Sequence, residues 1–280
     1  MALIYPNIVP ENNLRLPDAL TVKHGPAHLL SRFVLAGDRY ARERGLHLRL
    51  KYDFEELAWV NKQYCAQGSW YPIIGEFNPE HSELSPDNAF WVAGEDASGE
   101  VVAVYAGHIY YWPDTNLEEQ AATVFYGRNE GQPTLVTTPV AQTIDGVVMS
   151  CGCAWIRPDF RGRILSQLFA RLAKTYGLSR WPIDWIIGYV TPSGFKKGLH
   201  NGYGAKHATP GMGYPGTSFG ELYLLYTSAT EAITDLEDFL VTELSEPVAP
   251  NVSDSWATIL AQEVTRTSPE VVFQGSSSRS

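Results

Sequence analysis

Residues 156–177 read "IRPDFRGRILSQLFARLAKTYG" and set Pro158, Gly162 and the guanidinium groups of Arg157, Arg161 and Arg163 directly ahead of an amphipathic run. The first turn of a helix carries N–H groups with no partner inside the helix, and such groups suit an anion, a phosphate above all. Arg161 and Arg163 add full positive charges. The spacing therefore predicts a phosphate grip at the mouth of a helix. Cys151 and Cys153 lie just upstream, too close together in one apparent strand for a usual zinc or redox spacing. With Cys65 they leave one cysteine unpaired in any disulfide scheme, so a reducing compartment is the simpler reading.

The elements that must position this mouth follow from periodicity. Leu165, Leu168, Phe169, Leu172 and Tyr176 recur at helical spacing, with Gln167, Arg171 and Lys174 elsewhere on the circumference and Gly177 as the expected stop. "GVVMSCGCAWI" before it and "IDWIIGYV" after it are apolar on both faces, as buried strands are. Strand, helix and strand make a βαβ unit whose strands should lie parallel.

Upstream, a helix is expected to end near Gly45, and "LHLRLKY" alternates as a strand. "DFEELAWVNKQYCAQG" has Asp53 and Glu56 at capping-box spacing. "NAFWVAGED" and "EVVAVYAGHIYYW" read as two strands joined at 97–99. A short helix is expected at "NLEEQAATVFY", a short helix ending in glycines near 191–207, a flexible loop at "PGMGYPG", a last strand at "SFGELYLLYT", and a helix near 234–244 before a Pro/Ser-rich tail whose end is expected to be disordered.

At 280 residues and 44% hydrophobic content the chain can bury a core without staples. The net charge of −10 argues against a nucleic-acid surface, which rests on excess Lys and Arg. The opening residues show no basic and apolar leader, and no apolar segment is long enough to span a bilayer, so a cytoplasmic protein without membrane partners is expected.

On the residues "IRPDFRGRILS", the sequence resembles the GNAT-superfamily N-acetyltransferases, whose signature runs V-x-P-x-[YF]-R-G-[RK]-G-[IL]-[GA]. Ile156 stands for the valine, and Pro158, Phe160, Arg161, Gly162, Arg163 and Leu165 match; Ile164 replaces a glycine and Ser166 a Gly or Ala. The alternative is that the arginines are surface charges on a βαβ unit of another α/β fold. The resemblance implies a mixed α/β fold, with a GNAT-like central mixed sheet, a parallel βαβ unit and flanking helices. It places an N-terminal helical extension at 1–45, an acyltransferase domain at 46–228, and a C-terminal helix with a partly disordered tail at 229–280. It further implies acetyl-CoA bound by Trp155, Ile156, Arg161, Gly162, Arg163, Ile164, Leu165 and Ser166, the backbone N–H groups near Trp155 and Ile156 serving the developing oxyanion.

Such an enzyme moves an acetyl group to a primary amine of a small molecule by direct attack, which requires a neutral amine and a proton for the departing thiolate. The family's usual tyrosine falls on Gly198 here, leaving His200 and Tyr203, with Tyr189 on the preceding strand, as candidates for the acid, and His108 for the base. Each also has a packing or helix-end role open to it. Cys151 and Cys153, expected to point the same way, place one thiol beside the thioester or fill core space. Phe90, Trp91, Tyr105, Tyr110, Tyr111 and Trp112 line an acceptor pocket or form core. Ile164, Ser166 and the missing tyrosine keep two alternatives open, a non-catalytic GNAT-like binding domain and an enzyme with a longer-chain or carrier-protein donor. A homodimer also stays open.

Overall fold

The computed structural model describes residues 14–129, 131–162 and 164–244. Arg163, at the centre of the motif, and the tail expected after 244 lie outside the described residues.

The strands are β1 (Leu14–Arg15), β2 (His47–Lys51), β3 (Ala89–Glu95), β4 (Val101–Trp112), β5 (Leu135–Val136), β6 (Gly146–Ile156), β7 (Trp185–Val190), β8 (His207–Tyr214) and β9 (Gly220–Ser228). They form one mixed sheet in the order β1-β2-β3-β4-β6-β7-β9-β8-β5. The pair β6/β7 is parallel, and its other neighbours are antiparallel. This is the mixed α/β architecture expected from the motif.

The helices are α1 (Leu16–Ala19), α2 (Ala27–Arg42), α3 (Phe54–Ala66), α4 (Leu117–Tyr126), α5 (Leu165–Arg180), α6 (Pro192–Lys196), α7 (Leu199–Gly202) and α8 (Ala229–Phe239). α3 begins where the capping pattern predicts, with the Asp53 side chain accepting from Glu56 N–H at 3.0 Å, while the Glu56 carboxylate pairs with Lys51 at 2.7 Å instead of closing the box. α8 starts earlier than expected because Ser228 and Glu231 form a reciprocal capping box. α5 runs past Gly177 to Arg180. Gly177 serves packing instead, since a Cβ there would lie 2.4 Å from Met149 Sδ on β6. The segment read as a flexible loop belongs largely to β8, whose ladder with β9 absorbs Pro210 and Gly211 in a bulge.

Two faces bury the core. On one, α2, α5 and α8 cover Phe90, Tyr105, Ile109, Met149, Cys151 and Ile186. Leu30 and Phe33 of α2 and Leu236 of α8 belong to this same cluster, so segments flanking residues 46–228 complete its core. On the other face, α4 packs over Val148, Ile187 and Leu224, and α3 over Trp91, Val104 and Trp155. Among the described residues no helix is long and apolar enough to cross a membrane.

Candidate active site

β6 and β7 pair with each other only from Val148↔Trp185 to Cys151↔Gly188, after which β6 runs on to Ile156 against β4 and β7 to Val190 against β9. A bulge drives the parting. Ala106 faces Gly152 and Val104 faces Trp155, so Tyr105 of β4 is opposed by two residues, and Cys153 sits in it with φ 54°. The bulge reverses the expected orientation of the cysteines. Cys151 packs into the α5-side core and Cys153 against the α3-side core, so they point to opposite faces. Burial pushes both thiols up, Cys151 to about 12, which disfavours thiolate at either.

Amide directions past the bulge follow from the ladder. Arg157 N–H bonds Val102 O at 2.8 Å, so two residues back Trp155 N–H also turns into the β4 ladder. Ile156 turns the other way, and its carbonyl accepts from Arg161 Nε at 2.9 Å. Of the two expected amides, alternation directs that of Ile156 toward the open side.

At the parting, on the α5 face, a cavity of about 20 Å³ is lined by Tyr105, Cys151, Lys174, Gly188 and Tyr203 among others. Lys174 and Arg171, placed on the helix circumference by periodicity, are buried. Lys174 Nζ donates to Tyr203 O and Gly204 O, both at 2.8 Å, and Arg171 reaches Gly202 O and Asp235 Oδ1, both at 2.8 Å. These bonds fix the turn after α7 and set Tyr203 edge-on to Tyr105, ring centroids 5.9 Å apart. Burial pushes Lys174 down to about 8 and the Tyr203 phenol up.

The helix mouth lies at the end of the same strand. After a 3-10 turn at Pro158–Phe160, Gly162 has φ 87° and Ile164, the N-cap of α5, has φ 49°. Ile164 thus takes the left-handed conformation natural to glycine and disfavoured for a β-branched residue, at a cost of about 1–3 kcal/mol. Its side chain packs against the α5-side core rather than over the loop. No side chain caps α5, and among the described residues the amides of Leu165 and Ser166 have no backbone acceptor. Arg161 is less free than its position in the sequence suggests, because it also reaches Ser69 O at 3.5 Å.

The three side chains named for proton transfer are not brought together. Tyr203 lines the cavity. His200 stacks on Phe195 at 4.3 Å, away from the lining, its buried Nδ1 without a hydrogen-bond partner among the described residues. His108 lies across the sheet from Tyr203, in register with Ser150. Burial pushes it down to about 4, the Glu76 main chain opposing. Its Nε2 is 3.4 Å from Asn88 Nδ2. The aromatic residues divide by strand alternation, with Phe90 and Tyr105 on the α5 face, Trp91, Tyr110 and Trp112 on the other, and Tyr111 exposed.

Sequence reasoning missed Glu76, which is fully buried on a 3-10 turn at Gly75–Phe77. Tyr110 O–H donates to its Oε1 at 3.2 Å, and the Ser150 hydroxyl lies beside the same carboxyl. Desolvation pushes this carboxyl up to about 8, with Ser150 and Tyr110 acting the other way. The adjacent Phe77 lies directly over β6, for a Cβ on Gly152 would come 2.4 Å from Phe77 Cε2. The signal available was a small residue at 152, with nothing local to pair it with residue 77.

No protein-family model and no curated protein sequence matches the chain. Solved structures do. The chain is similar to Arabidopsis thaliana NAA60 bound to a bisubstrate analogue, at 10% identity and TM-score 0.41 over 65% of this chain and 97% of that one. It is similar to FeeM, an N-acyl amino acid synthase from uncultured soil microbes, at 18% identity and TM-score 0.40 over 66% and 91%. It is also similar to the aminoglycoside acetyltransferase AAC(6')-Ib with coenzyme A and kanamycin, at 14% identity and TM-score 0.37 over 70% and 98%. Likenesses this distant carry no weight for activity. The chain's own strand order, with one parallel pair parting beside the helix mouth, is the mixed α/β arrangement with a parallel βαβ unit that was expected.

Proposed function

We propose that the chain is a coenzyme A-dependent N-acyltransferase of the GNAT type, moving a short acyl group, acetyl first, to a primary amine of a small molecule. The observation that carries this reading is the coincidence of two features at one strand end, the parting of β6 from β7 after Cys151 and Gly188 and the uncapped start of α5. The residues fit the cofactor. Gly162 leaves open space where a Cβ would stand, Ile164 packs its side chain against the core, and among the described residues the Leu165 and Ser166 amides have no backbone acceptor. These amides, with the Arg161 charge, would hold the diphosphate. When bound, the cofactor supplies an activated thioester.

The chain's own groups supply the rest. Ile156 N–H would stabilise negative charge on the carbonyl oxygen. Tyr203, its phenol protonated at neutral pH, would give a proton to the departing sulfur. Release of free thiol from acetyl-CoA, butyryl-CoA and a long-chain acyl-CoA, each with a panel of primary amines, tests the proposal. Acetyl-dependent turnover supports it, and no thiol release from any donor together with no acetyl-CoA binding overturns it.

A further inference from the structure

A cavity of about 300 Å³ separates the turn after α7 from α8, lined by Gly204, Ala205 and Lys206 on one side and by Thr234, Asp235 and Asp238 on the other. Among the described residues, the turn that carries Tyr203 thus has open space instead of close packing on its α8 side. Its position rests on a few polar bonds, since a void offers no contacts to resist a shift. Arg171 Nη1 donates to Gly202 O, and Lys174 Nζ donates to Tyr203 O and Gly204 O, each at 2.8 Å. On its other side the turn presents the Tyr203 ring to Tyr105 and to the small cavity at the parting of β6 from β7. A displacement of the turn therefore moves the phenol relative to that parting.

What holds Arg171 comes from α8. The Arg171 side chain is 6% exposed, its Nη2 donates to Asp235 Oδ1 at 2.8 Å, and its guanidinium carbon lies 4.1 Å from the centre of the Phe239 ring. A guanidinium is a rigid planar fork, so a carboxylate on one Nη and a ring over the face fix where the other Nη points, here at Gly202 O. Burial pushes the Lys174 ammonium down, and the Asp235 charge is among those that oppose it, so one carboxylate serves two buried cations. Asp235 also meets the turn directly, because a Cβ on Gly204 would lie 2.3 Å from its Oδ2.

The geometry points to Asp235 as a positioning residue for Tyr203: by clamping Arg171 against the Gly202 carbonyl, it holds the turn in the place where the phenol faces the parted strands. This rests on the acyl-transfer reading above, in which Tyr203 O–H gives its proton to the departing sulfur and the phenol regains one from solvent. It makes α8, which follows the segment 46–228 expected to form the acyltransferase domain, a working part of the site.

Two substitutions disturb this link from opposite sides. Asp235→Asn keeps an oxygen acceptor for Arg171 Nη2 and removes the charge that strengthens the bond. Gly204→Ala leaves Arg171 and Asp235 intact and drives a methyl toward Asp235 Oδ2, at a residue with φ 64°. Neither alters the first-turn amides of α5, so cofactor affinity and rate should separate.

Hydrogen exchange on the full chain reads the link without requiring turnover, with melting curves to report folding. The amides of Gly202, Tyr203, Gly204 and Ala205 donate to the carbonyls of Gly198, Leu199, Asn201 and His200. Their exchange should quicken by about 10-fold or more in both variants, while the β6/β7 ladder keeps its wild-type protection. In the acetyl-transfer assay each variant should lose roughly 10- to 100-fold in kcat, the scale of a small misplacement, with the Kd for acetyl-CoA unchanged. Because Asp235 acts through the phenol, adding Asp235→Asn to Tyr203→Phe should lower kcat no further than Tyr203→Phe alone. Unchanged exchange at 202–205, wild-type kcat in both variants, or a loss fully additive with that of Tyr203→Phe overturns the assignment. Failure of wild-type protein to bind acetyl-CoA, while exchange at 202–205 still responds to both substitutions, would instead overturn the acyl-transfer reading and leave the hold of Asp235 on the turn standing.

Discussion

Ser166 offers a way to separate diphosphate binding from folding. It is the second residue of α5, exposed, in a first turn with no acidic residue. Ser166→Asp places a carboxylate among the first-turn amides, where it favours the helix dipole by about 0.3–1 kcal/mol. For a domain of this size that is a rise in Tm of about 1–4 °C. The same carboxylate opposes a diphosphate held on those amides. Two negative charges at about 6 Å repel one carboxylate by about 1.4 kcal/mol in bulk water and several kcal/mol at an effective dielectric constant near 20. An exposed site lies toward the lower figure, so acetyl-CoA should bind about 10- to 100-fold more weakly. At 1 M salt, with a Debye length of about 3 Å, most of that loss should disappear. Isothermal titration with acetyl-CoA at low and high salt, with Ser166→Asn as the uncharged control, reads the effect. If Ser166→Asp melts higher than wild type yet binds acetyl-CoA equally well, the diphosphate does not sit at this helix mouth and the placement of the cofactor is wrong.

Three other outcomes follow from the geometry. Gly152→Ala drives a methyl into Phe77 and should cost about 1–3 kcal/mol in urea melts; a neutral result would mean that the Gly75–Phe77 turn does not rest on β6. Lys174→Met leaves the carbonyls of Tyr203 and Gly204 without their buried donor and should cost about 1–3 kcal/mol, with a loss of kcat if the turn positions Tyr203; unchanged stability and rate would detach Lys174 from that turn. Glu76, raised in the folded state to about 8 from an ordinary 4.5, binds more protons folded than unfolded between those values. Its contribution is therefore full below about pH 4.5 and is lost as pH rises through about 8, by at most a few kcal/mol. His108, held low at about 4, works in the opposite sense, adding stability as pH rises toward 6.5. The Glu76 slope should thus be cleanest between about pH 6.5 and 8, and Glu76→Gln should flatten it in chemical denaturation series; an identical slope in both proteins would show that Glu76 does not titrate there.

Local chemistry determined a good part of this protein from its sequence. Asp53 caps α3 because a short acceptor side chain one residue before a helix satisfies a first-turn amide wherever it occurs. The β3/β4 hairpin and the β6-α5-β7 unit follow from periodicities of two and 3.6 and from turn residues, all contained within short windows. The phosphate-loop motif was legible for the same reason, its residues being contiguous. Tertiary structure decided what depends on partners distant in the chain. β8 is a strand despite Pro210 and Gly211 because β9 supplies its ladder. Arg171 and Lys174 are buried because residues 202–204 and Asp235 close over them, which helical periodicity cannot register. The bulge that turns Cys153 away from Cys151 exists only where β6 meets β4. Glu76 carries no sequence signal at all: an isolated carboxylate reads as surface until the fold wraps Tyr110, Ser150 and Tyr214 around it, and desolvation, a property of the assembled surroundings, then sets its charge.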